Sequence, residues 1–168
     1  MGLEIRPYRE EDLAGMVKVW NEVVEAGNAF PQIEPLTLEG AREFFGAQTL
    51  TTVADLDGKT MGLYILHPNN VGRCAHVANA SYAVASSARG LGLGRALVED
   101  SLDQAARKGF RGLQFNAVVA SNEGAIRLYD KLGFTRVGTV PQGFVNGFGA
   151  YEDMHIFYKA TVPGSSGC

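Results

Sequence analysis

Residues 89–95 read Arg-Gly-Leu-Gly-Leu-Gly-Arg, with glycine at every second position and an arginine at each edge. The run before it, residues 75–85, is apolar and β-rich, and the run after it places Leu97, Val98, Leu102 and Ala105 on one helical side. The glycines therefore join a strand to a helix. One glycine would be enough for a tight turn. Three at alternate positions let the backbone come close to a bound group, and the first helical turn beyond them offers unpaired N–H groups to an anion. Arg89 and Arg95 add positive charge, so a pyrophosphate is the occupant this chemistry suits.

Other glycine-loop patterns fail on spacing. G-x-G-x-x-G would need glycine where Arg95 or Leu97 stands, and G-x-x-x-x-G-K-[ST] has no match in the chain, which argues against a nucleoside-triphosphatase. Glycine is abundant overall, 21 of 168 residues, against roughly 7% in average usage. No every-third-residue period accompanies it and proline numbers only 6, which excludes a collagen-like or low-complexity chain.

The length suits one domain, expected to span residues 1–161, followed by a frayed small-residue tail at 162–168. Lys and Arg total 15 against 18 Asp and Glu, a net charge of −3. That argues against general nucleic-acid binding but allows one phosphorylated ligand at a local site. Cys74 and Cys168 frame neither a disulfide scaffold nor a zinc site, so no metal is expected and a reducing compartment is favoured. Charged residues from Glu4 to Asp12 leave no signal-peptide core, and no apolar run approaches the ~18 residues of a membrane span. A soluble, cytoplasmic protein with no membrane partner is the expectation.

Periodicity supplies the elements. Residues 3–7 form a short strand ending at Pro7, and Leu13, Met16, Val17, Trp20, Val23 and Val24 mark an amphipathic helix with acidic residues in its first turn. A shorter helix is predicted at 36–46, with Phe44 and Phe45 inward. Strands at 49–55 and 60–66 flank Asp57-Gly58, a strong hairpin signal. After the strand at 75–85 and the glycine cluster, the helix stops at Arg107-Lys108-Gly109. A strand at 113–119 is apolar on both faces apart from Gln114 and Asn116, which places it centrally. Ser121 can cap a helix running to Gly133, and strands at 134–140 and 151–159 flank a last glycine-rich loop. The order β-α-α-β-β-β-α-β-α-β-β gives a mixed sheet with helices on both faces.

Arg89-x-x-Gly92-x-Gly94 resembles the (Q/R)-x-x-G-x-(G/A) signature of GNAT-superfamily N-acetyltransferases. Downstream, Asn122-x-x-Ala125-x-x-Leu128-Tyr129-x-x-x-Gly133-Phe134 resembles that family's N-x-x-A-x-x-x-Y-x-x-x-G-F segment, and the likeness covers residues 3 to about 160. It implies acetyl-CoA as co-substrate without a metal. It also implies an α/β (α+β) GNAT fold: a mixed, mostly antiparallel sheet of about seven strands with a splayed central parallel pair. The strand before the glycine loop would carry a bulge, and the pantetheine arm would pair with backbone near Tyr82, Ala83 and Val84. One N–H there would hold the developing oxyanion. The loop N–H groups of Gly90, Leu91, Gly92, Leu93 and Gly94, edged by Arg89 and Arg95, would take the pyrophosphate, with Asn122 and Ala125 on the cofactor arm. By the same resemblance Tyr129 is the proton donor to the departing thiolate, since a phenol titrating near pH 10 can give a proton without being ionised at neutrality. From the residues alone, Tyr129 reads equally as packing beside Leu128 and Leu132, and Asn122 as a helix cap shared with Ser121.

Asn79 and Asn116 stand in otherwise apolar strands, where an amide costs free energy unless hydrogen-bonded. Both could face the acceptor, or they could tie irregular strand edges together. Residues 73–80 and 115–118 resemble a branch of the family that acetylates small cyclic amino acids such as proline analogues. His76 is placed on the acceptor with Asn79 and Asn116; it, His155, Glu152 and Asp153 are candidates for the general base, with a water chain as the alternative. Glu22, Glu25 and Phe30 are placed on the acceptor side, and Phe144, Phe148 and Tyr151 in an acceptor lid or a homodimer contact. The expected reaction is acetyl transfer to a small-molecule amine. Its rivals are a protein N-terminal or lysine acetyltransferase and a non-catalytic acyl-CoA-binding module.

Overall fold

The computed structural model describes residues 2–161. The tail expected at 162–168, with Cys168, lies outside the described residues. Seven strands and four helices follow one another as β1 (Leu3–Pro7), α1 (Leu13–Ala26), α2 (Leu38–Gly46), β2 (Leu50–Leu56), β3 (Lys59–Pro68), β4 (Val77–Val84), α3 (Leu93–Arg107), β5 (Gly112–Val119), α4 (Glu123–Lys131), β6 (Thr135–Val145) and β7 (Tyr151–Ala160). The sheet order is β1-β2-β3-β4-β5-β7-β6. Among the described strands only β4 and β5 run parallel. Helices cover both faces: α1 and α2 meet through Trp20, Phe44 and Phe45, while α3 lies on the other face, where Tyr64 and Tyr82 reach it.

Local chemistry sets the element ends. Asp57 and Gly58 both adopt left-handed backbone, φ 53° and 84°, as a two-residue hairpin turn requires. Helix α2 begins at Leu38 rather than 36 because Thr37 caps it, its Oγ1 accepting the Gly40 N–H at 3.0 Å. Phe45 is buried, but Phe44 is half-buried against Trp20 and faces a cavity. Strand β4 starts at Val77 rather than 75, since a helical turn at Gly72–Cys74 closes through the Ala75 N–H on the Gly72 carbonyl. Strand β6 runs on to Val145, so Gly143 belongs to a strand and not to the loop. Pro141 has no N–H for the ladder, and the register shifts between Val140 and Phe144.

The bulge implied for the strand before the glycine loop is absent. Strand β4 keeps unbroken register with β3 from Gly62↔Val84 to Pro68↔Ala78. The irregularity lies in β5, whose pairing with β7 shifts between Phe115 and Val118. A bulge bends its own strand, and β5 parts from β4 after only three pairs, Val77↔Gly112 to Asn79↔Gln114. The splay is therefore made by β5.

Away from the splay, the first strands are tied by charge. Arg6 donates to Asp12 at 2.7 and 3.0 Å and to Asp55 at 2.9 Å, and Asp12 also accepts the Arg9 N–H at 2.7 Å. Hydrogen bonding to Arg6, opposed in part by burial, holds the Asp12 carboxyl below the ordinary range. Among the described residues no helix is long and apolar enough to cross a membrane.

Candidate active site

Strand β4 offers its two edges to different partners, and three hydrogen bonds show which residues point where. The Ala85 N–H bonds the Met61 carbonyl at 2.8 Å, the Asn69 N–H bonds the Val77 carbonyl at 2.8 Å, and the Arg111 N–H bonds the His76 carbonyl at 2.8 Å. Backbone groups alternate along a strand, so odd-numbered residues face β3 and even-numbered ones face β5. Beyond Asn79 there is no β5 to pair with. Tyr82 and Val84 therefore turn N–H and C=O groups into the open splay, whereas those of Ala83 are committed to β3.

A cavity of about 570 Å³ passes through this gap. Its walls include Asn79 and Ser81 as well as Ala80 and Tyr82, neighbours on one strand that point to opposite faces. It thus opens between the two faces of the sheet. One side is closed by Phe30, Pro31, Phe44 and Gln48, and the other by Gly94, Val98, Asn122, Ala125, Leu128 and Tyr129. Among the described residues that line it there is no Asp, Glu, Lys or Arg.

The glycine loop leads to this cavity. Gly90 and Gly92 have φ of 79° and 82°, and a Cβ on either would meet nothing within 4 Å. Helix α3 starts from Gly92 without a side-chain cap, while the first ladder bond of its backbone is the Ala96 N–H on the Gly92 carbonyl. The N–H groups of the first turn are thus left for an external acceptor. Leu93 is buried and anchors the turn, and Leu91 is exposed. Arg89 is exposed, and Arg95 donates Nε to Glu99 at 3.0 Å.

Tyr129 is half-buried in an aromatic group, 4.6 Å from Phe115, 5.5 Å from Phe134 and 5.6 Å from Phe157 between ring centres. Its hydroxyl has no hydrogen-bond partner among the described residues, and burial pushes the phenol above the ordinary tyrosine range. Tyr82 is raised by the same cause, but its hydroxyl is engaged: Ser101 gives its proton to the Val98 carbonyl at 2.7 Å, so Tyr82 donates to Ser101 at 2.6 Å. Asn122, not Ser121, caps α4, with Oδ1 accepting the Ala125 N–H at 3.4 Å. The amide nitrogen of Asn122 is left free of that bond, and the residue lines the cavity.

Asn79 and Asn116 do come together, through Asn69, which follows the end of β3. Asn69 Oδ1 accepts Nδ2 of Asn79 at 3.2 Å and Nδ2 of Asn116 at 2.6 Å, and Gln114 donates to Asn116 Oδ1 at 2.9 Å. All three asparagines line the cavity. His76 does not: it is exposed, because the turn at Gly72–Cys74 puts it ahead of the strand. The other proposed bases are also elsewhere. His155 is buried against Thr139, at 2.8 Å, and burial lowers its pKa. Glu152 accepts from Asn146 at 3.0 Å, and Asp153 takes the Gln142 N–H at 3.0 Å. Glu22 accepts the Ser86 N–H at 2.9 Å, which keeps it below the usual carboxylate range. Glu22 and Glu25 lie off this cavity, as do Phe144, Phe148 and Tyr151, whereas Phe30 lines it.

Residues 10–134 match the profile of the Acetyltransferase (GNAT) family. The chain is 33% identical to N-acetyltransferase aca1 of Schizosaccharomyces pombe, over 89% of this chain and 80% of that protein. Among solved structures, a GCN5-related N-acetyltransferase from Kribbella flavida is 40% identical with a TM-score of 0.86, over 94% of this chain and 97% of the other. A phosphinothricin acetyltransferase from Sinorhizobium meliloti, solved with acetyl-CoA, shares the fold at a TM-score of 0.91 and 20% identity, over 100% and 93% of the two chains. The chain belongs to the GNAT acetyltransferase family and is an acetyl-CoA-dependent N-acetyltransferase.

Proposed function

We propose that the acceptor is the primary or secondary amine of a small molecule, an amino acid or close analogue, attacked directly by acetyl transfer. The observation that carries this reading is the cavity through the splay, about 570 Å³ in volume and lined by several neutral amides with no Asp, Glu, Lys or Arg among the described residues. A site of that size, walled by Phe30 and Phe44, suits a small acceptor better than a length of polypeptide. Neutral amides bind an amine or a carboxylate without demanding one substrate charge, and Asn79 and Asn116 are assigned that contact. The likeness of residues 73–80 and 115–118 to the branch acting on small cyclic amino acids supports the same acceptor class.

The donor side fits acetyl-CoA through the uncapped α3 terminus and the open, left-handed Gly90 and Gly92. In this reading the N–H groups from Gly90 to Arg95, with Arg89, hold the pyrophosphate. Tyr82 and Val84 offer their free backbone groups to the arm, Asn122 and Ala125 border it, and Tyr129 delivers a proton to the leaving sulfur. When bound, acetyl-CoA supplies an activated thioester carbonyl. A cytoplasmic location belongs to this reading, and so does a homodimer, for which the exposed Val145, Phe148 and Tyr151 are the candidate surface.

CoA release measured with acetyl-CoA against amino acids, other amines, antibiotics and peptides tests the proposal. Saturable release with a free amino acid or analogue is expected. Release confined to peptides would assign a protein acceptor instead, and cofactor binding without turnover on any acceptor would leave only a binding module.

A further inference from the structure

We propose that His67, at the end of β3, is the proton acceptor for the incoming amine. The inference rests on the acetyl-transfer reading and adds the base that the sequence motifs do not mark. Exclusion gives the first argument. Among the described residues lining the cavity, only His67, Tyr82 and Tyr129 titrate. The Tyr82 proton is committed to Ser101, and burial keeps both phenols protonated across the neutral range. An imidazole is the side chain whose ordinary titration falls between pH 5 and 8.

Geometry gives the second argument. His67 Nδ1 lies 2.9 Å from the Pro68 carbonyl oxygen. A carbonyl can only accept, so Nδ1 carries the hydrogen and Nε2 keeps its lone pair in the neutral ring. The backbone thereby selects one tautomer and one basic nitrogen. His67 pairs with Asn79, the last residue of β4 that also pairs with β5. The imidazole thus stands at the level where the two strands part. The elements around the cavity present Asn79 from β4, Asn116 from β5, Asn69 from the following loop, Gln32 from the loop after α1 and Gln48 from beyond α2, none of them charged.

Two protons must leave the acceptor nitrogen. His67 Nε2 takes the first from the ammonium, freeing the lone pair that forms the C–N bond, and passes it to solvent. The second replaces the proton that Tyr129 gives to sulfur as the C–S bond breaks. The products are the amide, the free thiol and one proton in water.

The test compares wild type with His67→Gln and His67→Asn over pH 5.5–10, using whichever acceptor wild type acetylates. Both variants are expected to lose about 100-fold or more in kcat/KM near neutrality, with acetyl-CoA affinity and melting temperature unchanged. The acidic limb of the wild-type profile should give way to a rate that keeps rising with pH, as hydroxide and solvent replace the imidazole. His67→Asn retains an N–H for the Pro68 carbonyl, so wild-type activity in that variant would mean the ring is only a tie and would overturn the proposal. A variant profile that still levels off above the acidic limb, at the same pH as wild type, would do the same. If only peptides are acetylated, the small-acceptor reading fails while the His67 comparison proceeds on a peptide. Nitrogen NMR of the wild-type ring needs neither turnover nor a folded variant: neutral His67 should carry its hydrogen on Nδ1, and the Nε2–H form would sink the idea.

Discussion

The two edges of β4 teach different lessons from one stretch of chain. Toward β3 the strand makes seven consecutive residue pairs, with Leu63 and Ala83 buried beneath it. Toward β5 it makes three pairs and then faces a cavity. The closed edge uses its backbone hydrogen bonds for the fold, and the open edge leaves those beyond Asn79 without a strand partner among the described residues. Mutations should separate accordingly: stability should fail on the closed side and turnover on the open side.

The largest effect is expected on the closed side. Leu63 has 0% exposure, and Leu63→Ala should cost about 3 kcal/mol through lost burial and the cavity left behind. For a chain of this length that is a fall of about 8 °C in melting temperature, with catalytic constants near wild type well below the transition. Calorimetry and kinetics on the same sample check it. A loss of turnover without a loss of stability would erase the distinction between the edges. Tyr129→Phe is its counterpart on the open side. The hydroxyl has no protein partner among the described residues, so stability should hold while kcat falls about 100-fold and acetyl-CoA affinity stays within about two-fold. Because burial raises the phenol, wild-type activity should show no decline from Tyr129 ionisation up to pH 10.

Acid sharpens the comparison from farther along the closed side. The Asp12 carboxyl is depressed in the fold, first by its hydrogen bonds from Arg6. Its contribution is therefore fully present above the unfolded carboxyl value, about 3.9, and is lost as pH falls through the lower folded value. Asp12→Asn should cost about 2 kcal/mol at pH 7, less than a buried pair losing its sole partner, because Arg6 keeps Asp55. The variant should also unfold less steeply between pH 4 and 2, as denaturant titrations across that range would reveal.

Much of this was legible in the sequence, for reasons that also mark where legibility ended. Periodicity located the helices, because their apolar residues repeat at helical spacing. Asp57-Gly58 named its own turn, because only certain residues tolerate positive φ. The conformation of the glycine loop was readable because Gly90 and Gly92 take left-handed φ that glycine adopts freely. The source of the splay was not: a bulge in β5 is set by pairing with β7, which comes some 40 residues later in the chain. Reading the strand from 75 places His76 inside it, whereas Gly72, at φ 58°, winds the chain through a turn first and leaves His76 exposed ahead of β4 and off the cavity. His67 had no motif, and only the antiparallel register brings it opposite Asn79.

Asn69 provides the finest cut, since it joins the open edge without belonging to either strand. Its single amide oxygen takes a hydrogen from Asn79 on β4 and another from Asn116 on β5, bridging the strands where their own ladder stops. Neither residue is fully buried, so water can replace the lost acceptor and Asn69→Ala should cost only about 1 kcal/mol of stability. If the two amides contact the acceptor, their loosening should raise its KM several-fold while kcat changes little, because the groups near the thioester are untouched. Asn69→Asp separates a role as bridge from a role as ligand contact. A carboxylate can accept both amide hydrogens, so a bridge would be kept and KM would stay near wild type for an uncharged amine. A direct contact from the Asn69 amide nitrogen would be lost in both variants alike. Equal KM values for Ala and Asp would therefore take the bridging role away from Asn69.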